Sequence, residues 1–123
     1  MEQQRQKAKS FRDLDVWNLG MDIVVEIYRI TAKFPKEEMY GIITQLRRAA
    51  VSVPSNISEG FNRLHKGEYR QFLGISLGSC GELETQIEVS LRLGYIGAPE
   101  RTIIIDKIDH EARMLRNLIK ALQ

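Results

Sequence analysis

The 123-residue sequence is 43% apolar and 28% charged with three prolines, enough for one globular core, and it holds no run of about 18 apolar residues that could span a membrane. A net charge of +2 and a pI near 8.8 fall short of the pI above about 9 that marks a strongly basic nucleic-acid-binding domain. The polar start MEQQRQKAKS does not read as a secretory leader, and the single cysteine, Cys80, cannot close an internal disulfide, so a cytoplasmic protein is expected.

Residues 1–12 carry Arg5, Lys7, Lys9 and Arg12 against Glu2 alone, so the formal charge excess can be assigned to this stretch. It is expected to be a flexible basic arm, either solubilising or holding phosphates loosely, in front of a helical domain over 13–123. Asp13 or Asp15 can cap a first helix running to about Lys33, where Phe34-Pro35 ends it. Two apolar stripes run along this helix, one through Leu14, Trp17, Met21, Val24, Tyr28 and Thr31, the other through Val16, Gly20, Ile23, Ile27, Ile30 and Phe34. One antiparallel neighbour shields an arc of roughly 100°, so an excess is expected to remain. The expectation is that the first stripe, with Trp17 and Tyr28, faces the core, and that Val16, Ile23 and Ile27 face another copy of the chain.

A second helix is expected from Lys36–Glu38 through Gly41 to about Arg63. Pro54 removes one backbone donor, but the apolar phase is the same on both sides of it, which favours one bent helix over two. At 100° per residue, Ile43, Leu46, Ala50, Val53, Ile57 and Phe61 share an apolar arc, and Gln45, Arg48, Ser52, Asn56, Glu59 and Arg63 share a polar one. That polar row can be a solvated face, a network between helices or a binding strip. Antiparallel packing of the third helix, expected over Glu68–Leu93, sets Glu82 against Arg48 and Glu68 against Arg63, which favours a structural network of Gln45, Arg48, Ser52, Asn56, Glu59 and Glu82. Arg47 points away from Arg48 and is the better candidate for an exposed contact.

The third helix carries Gly74, Gly78 and Gly81 at i, i+4 and i+7, each costing about 1 kcal/mol of helix propensity, so close approach of a neighbouring backbone is expected there. Gly94 stops it. A last helix has Pro99 at its first position and Glu100 in its first turn, with a core face of Ile104 or Ile105, Ile108, Ala112, Leu115, Ile119 and Leu122. Four amphipathic helices with short connections predict an all-α, up-down antiparallel four-helix bundle.

The segments FRDLDVW (11–17), FPKEEMYG (34–41), QLRRAAVSVPSNISEG (45–60), GSCGELETQ (78–86) and LGYI (93–96) resemble the bacterial four helix bundle protein family. It is also called the intervening-sequence protein family, because some members are encoded inside intervening sequences of large-subunit ribosomal RNA genes. In fold that family is similar to the accessory variability determinant of diversity-generating retroelements, a pentameric barrel whose basic surface contacts nucleic acid and a reverse transcriptase. The resemblance implies a homo-oligomer, a pentamer on that analogy, and an RNA or DNA contact. It brings no enzymatic activity.

For such a contact the candidate phosphate-binding residues are Arg5, Lys7, Lys9, Arg12, Arg47, Arg63 and Lys66. Aromatic stacking is not expected, because Trp17 and Tyr28 belong to the stripe assigned to the core. His65 and His110 lack carboxylate or cysteine neighbours at metal spacing, and Cys80 reads as a core residue, so no metal, cofactor or small-molecule site is expected. The alternative to nucleic-acid binding is a protein-interaction scaffold.

Overall fold

In the computed structural model, which describes residues 8–123, the periodic apolar segments form four α-helices: α1 (Asp15–Thr31), α2 (Ile42–Phe61), α3 (Lys66–Arg92) and α4 (Ala98–Ala121). No strand occurs among the described residues. Each helix packs on the next in the chain, α2 most extensively on α3, and α4 closes the array against α1. This is the up-down antiparallel four-helix bundle. The core is filled by Ile23, Ile27, Leu46, Val53, Ile57, Leu73, Leu83, Ile87, Ile104, Ile108 and Leu115, all inaccessible to solvent.

The ends of the helices follow local chemistry. Neither Asp13 nor Asp15 caps α1, contrary to expectation. Ser10 instead caps a 3-10 turn, Phe11–Asp13: its hydroxyl accepts from the Arg12 amide at 3.2 Å, and the Asp13 carboxylate accepts from the backbone amides of Lys9 (3.0 Å) and Ser10 (3.2 Å). The end of the stretch expected to be a flexible arm is therefore folded, with Phe11 against Trp17 at 5.3 Å between ring centres. Arg5 and Lys7 lie outside the described residues. The acids of Lys36–Glu38 sit in a separate 3-10 turn, and α2 starts later than expected, after Gly41, where an added Cβ would come within 2.6 Å of the Glu38 carboxylate.

α2 continues through Pro54 as one helix. α3 ends in a Schellman motif: Gly94 takes φ +79°, the Tyr95 amide donates to the Ser90 carbonyl (2.9 Å), and the Gly94 amide donates to that of Leu91 (3.0 Å). Tyr95 then packs on Phe34 and donates its hydroxyl to Glu38 at 2.7 Å, joining the two connections at that end of the bundle.

Two packing expectations are overturned. On α1 the stripes are exchanged along the middle of the helix: Val16, Ile23 and Ile27 are 0% exposed within the single chain, while Met21 (38%) and Tyr28 (44%) face out and only the ends of their stripe, Leu14 and Thr31, are buried. The slim β-branched stripe fits between α2 and α4, and the bulkier middle of the other is left partly outside. On α3, Gly74, Gly78 and Gly81 are exposed, and a Cβ added to any of them would meet no atom within 4 Å. They lie one residue past Leu73, Leu77 and Cys80, hence 100° round from the core face. The close approaches occur at Gly60, where a Cβ would lie 2.8 Å from that of Phe72, and at Gly20, where it would lie 3.0 Å from the Glu111 carboxylate and 3.5 Å from Pro54.

Candidate functional site

The exchanged stripe of α1 has a structural consequence. Its large side chains stand beside the outer residues of α2, and the seam between them holds two adjoining cavities with Val51 as a shared wall. One, of about 540 Å³, is lined by Tyr28, Thr44, Arg47, Arg48, Val51 and Ser52. The other, of about 320 Å³, lies between Trp17, Met21 and Val24 of α1 and Pro54, Ser55 and Ser58 of α2, with Phe11 and Arg12 at its end. Both volumes fall within the range of small-ligand sites.

The charge along this groove has one sign. Arg12, Arg47 and Arg48 line it and no acidic residue does. Each of these arginines is without a carboxylate partner among the described residues; the ion pairs form elsewhere, at Glu26–Arg29, Glu59–Arg63–Glu68 and Glu88–Arg101. Arg47 is held in place. Its Nε donates to the Thr31 hydroxyl at 3.0 Å, that buried hydroxyl donates to the Ile27 carbonyl at 2.7 Å, and the guanidinium lies 4.5 Å over the Tyr28 ring. Arg12 lies over Phe11 at 4.9 Å.

Of the basic residues singled out in the sequence, the structure thus brings Arg12 and Arg47 to one groove; Lys9 is exposed and lines neither cavity. Arg63 is engaged by Glu59 (3.2 Å) and Glu68 (3.7 Å) and covers Phe72, and Lys66 is exposed at the start of α3, outside the groove. Arg47 and Arg48 do not part company: consecutive helical residues are only 100° apart, and both line the larger cavity, Arg48 being the more exposed. Trp17 and Tyr28, assigned to the core from the sequence, line the groove.

The polar row of α2 divides into three pieces. Ser52 accepts from Asn56 Nδ2 (2.9 Å) and from the Ser79 hydroxyl of α3 (2.8 Å), and the buried Ser76 hydroxyl donates to the Val53 carbonyl (2.8 Å). Glu59 belongs to the surface cluster with Arg63. Gln45, Arg48 and Glu82 are exposed, and no Arg48–Glu82 ion pair forms among the described residues.

One residue escaped the sequence reading. Glu111 is 0% exposed, neither carboxyl oxygen has a hydrogen-bond partner among the described residues, and burial pushes its pKa up to about 8. Its carboxylate lies beside Gly20, 3.0 Å from where a Cβ there would sit. The Cys80 thiol is pushed up to about 12, first by burial and then by Glu111. The available signal was that 104, 108, 111, 115 and 118 form a helical stripe as regular as the one drawn through Ala112.

No described helix is long and apolar enough to cross a membrane. No curated protein sequence matches the chain. Among solved structures, the chain is similar to a protein of unknown function from the S23 ribosomal protein family of Bacteroides thetaiotaomicron, with a TM-score of 0.77 at 21% identity over 85% of this chain and 98% of that one. At that identity the likeness establishes the shared fold. The model of the 23S rRNA-intervening sequence protein family matches residues 12–117, nearly the whole bundle, and the chain belongs to that family.

Proposed function

We propose that the protein is a non-catalytic bundle that binds nucleic acid along the α1–α2 groove. The observation that carries this reading is the lining itself: three arginines with no acidic partner among the described residues, set among Phe11, Trp17 and Tyr28. Nucleic acid is the partner that matches both halves of it, since phosphates take guanidinium contacts and bases take aromatic or apolar ones. The ribosomal RNA in the family's name makes RNA the first ligand to test. A non-catalytic role accords with the chemistry, because Glu111 and Cys80, the groups whose titration is moved furthest, are sealed in the core.

The test is a salt titration of RNA and DNA binding. Three arginine–phosphate contacts predict a slope of log affinity against log salt between about −2 and −3. Arg12→Gln and Arg47→Gln should each weaken binding, whereas Arg63→Gln and Lys66→Gln should have smaller effects. Absence of binding at about 50 mM salt overturns the proposal.

A second reading, compatible with the first, is assembly with further copies of the chain, on the family analogy a pentameric ring. Gly74, Gly78 and Gly81 favour it: they cost about 3 kcal/mol of helix propensity together, and among the described residues no neighbour comes within 4 Å of where their Cβ atoms would sit. This face lies on α3, away from the groove. Light scattering coupled to size exclusion decides the matter, since a monomer at micromolar concentration contradicts assembly.

A further inference from the structure

Resting on that groove reading, we infer that the nucleic acid is single-stranded, with a phosphate seated at Arg47 and a base lying on Trp17. Arg47 is built as a seat rather than a free cation. Thr31 takes its Nε–H and Tyr28 covers one face of its guanidinium, so the two terminal NH₂ groups are presented in a fixed plane with no acceptor among the described residues. A planar pair of this kind takes two oxygens of one phosphate. Arg48 adds a second charge on the same cavity, and the Ser52 hydroxyl borders it.

The three aromatic residues of the groove are not equivalent. Arg12 covers Phe11 and Arg47 covers Tyr28, whereas among the described residues no cation covers Trp17, whose ring meets only that of Phe11, tilted by 58°, and lines the smaller cavity. Trp17 and Tyr28 are three helical turns apart, about 16 Å along α1, so a compact mononucleotide cannot bridge the Arg47–Tyr28 seat and the Trp17 ring, whereas a strand several nucleotides long can. In a duplex each base face is stacked on its neighbour. A duplex can reach Arg47 through its phosphates, but it has no free base face for a tryptophan on the wall of an interhelical groove.

Trp17 is the only tryptophan in the chain, so its emission reports this contact directly. The full chain is titrated with a single-stranded RNA of about ten nucleotides and with a duplex of the same length. The expected result is saturable quenching by the single strand and affinity for the duplex at least about tenfold weaker, with Trp17→Leu abolishing the preference while circular dichroism keeps its helical signal. Arg47→Gln should lower the single-strand salt slope by about one. Equal affinity for the duplex with unchanged emission overturns the single-strand inference and leaves the groove reading standing; failure of both RNAs to bind overturns both. Emission that shifts with protein concentration alone means that a second copy fills the groove, and the inference fails.

Discussion

The two stripes of α1 are nearly equal in apolar character and opposite in use. The inner one, Val16, Gly20, Ile23, Ile27 and Ile30, is stiff and slim, and it fits where α2 and α4 come close. The outer one is bulkier, and between its buried ends Leu14 and Thr31 the side chains of Trp17, Met21, Val24 and Tyr28 stay half-exposed beside three arginines. Helical periodicity shows that a stripe is apolar; side-chain shape, together with what the neighbouring helices offer, decides which stripe is swallowed.

Ile23→Glu is the sharpest way to break this comparison. With Ile23 fully enclosed, the substitution should cost about 4 kcal/mol or more and unfold the monomer. Loss of the helical circular-dichroism signal at neutral pH checks it; a folded variant would return Ile23 to a subunit contact.

The next effect belongs to the acid facing Gly20. Folding raises the Glu111 pKa from 4.5 to about 8, so the folded chain holds a proton that the unfolded chain releases between those values. Stability is therefore fully present below about pH 4.5, falls as pH rises toward 8, and is lower by about 3 kcal/mol at pH 7. Denaturant titrations at pH 4.5 and 7 should show this loss, and Glu111→Gln should flatten it and be the more stable protein at pH 7. An unchanged pH profile in the variant would mean that Glu111 is not the group responsible.

A smaller effect is expected at Gly20 itself. Gly20→Val places carbon 3.0 Å from the Glu111 carboxylate and should cost about 2 kcal/mol. The cost should shrink when Glu111→Ala is present, a coupling that a double-mutant cycle measures. Met21→Ser, on the outer stripe one residue away, should change stability by no more than about 0.5 kcal/mol. A large loss there would show the outer stripe to be core after all.

The order of the helices, the passage of α2 through Pro54 and the stop at Gly94 were legible because each rests on short-range chemistry: a repeating apolar position, an unbroken phase, a left-handed glycine. The groove was not. Its seat for Arg47 is made by Thr31, sixteen residues earlier and on another helix, and only the register of α1 against α2 brings them together. Glu111 was passed over because Ala112 satisfies the same periodicity with a more ordinary residue. The glycines of α3 were legible as a feature and misread in direction, since a small side chain signals close approach without saying from which side.

Those glycines also set how the longest helix moves. Helices usually loosen from their ends, where backbone groups lack partners. α3 instead carries its weakest intrinsic stretch at its centre, Gly74 to Gly81, held on the core side by Leu73, Cys80 and Leu83 and by nothing on the other. Its outer amides there should exchange with deuterium sooner than those of α2 at the same level of the bundle, and any surface that settles on this ridge should slow them. The middle of α3 thus serves as a gauge of occupancy, readable without knowing what the occupant is.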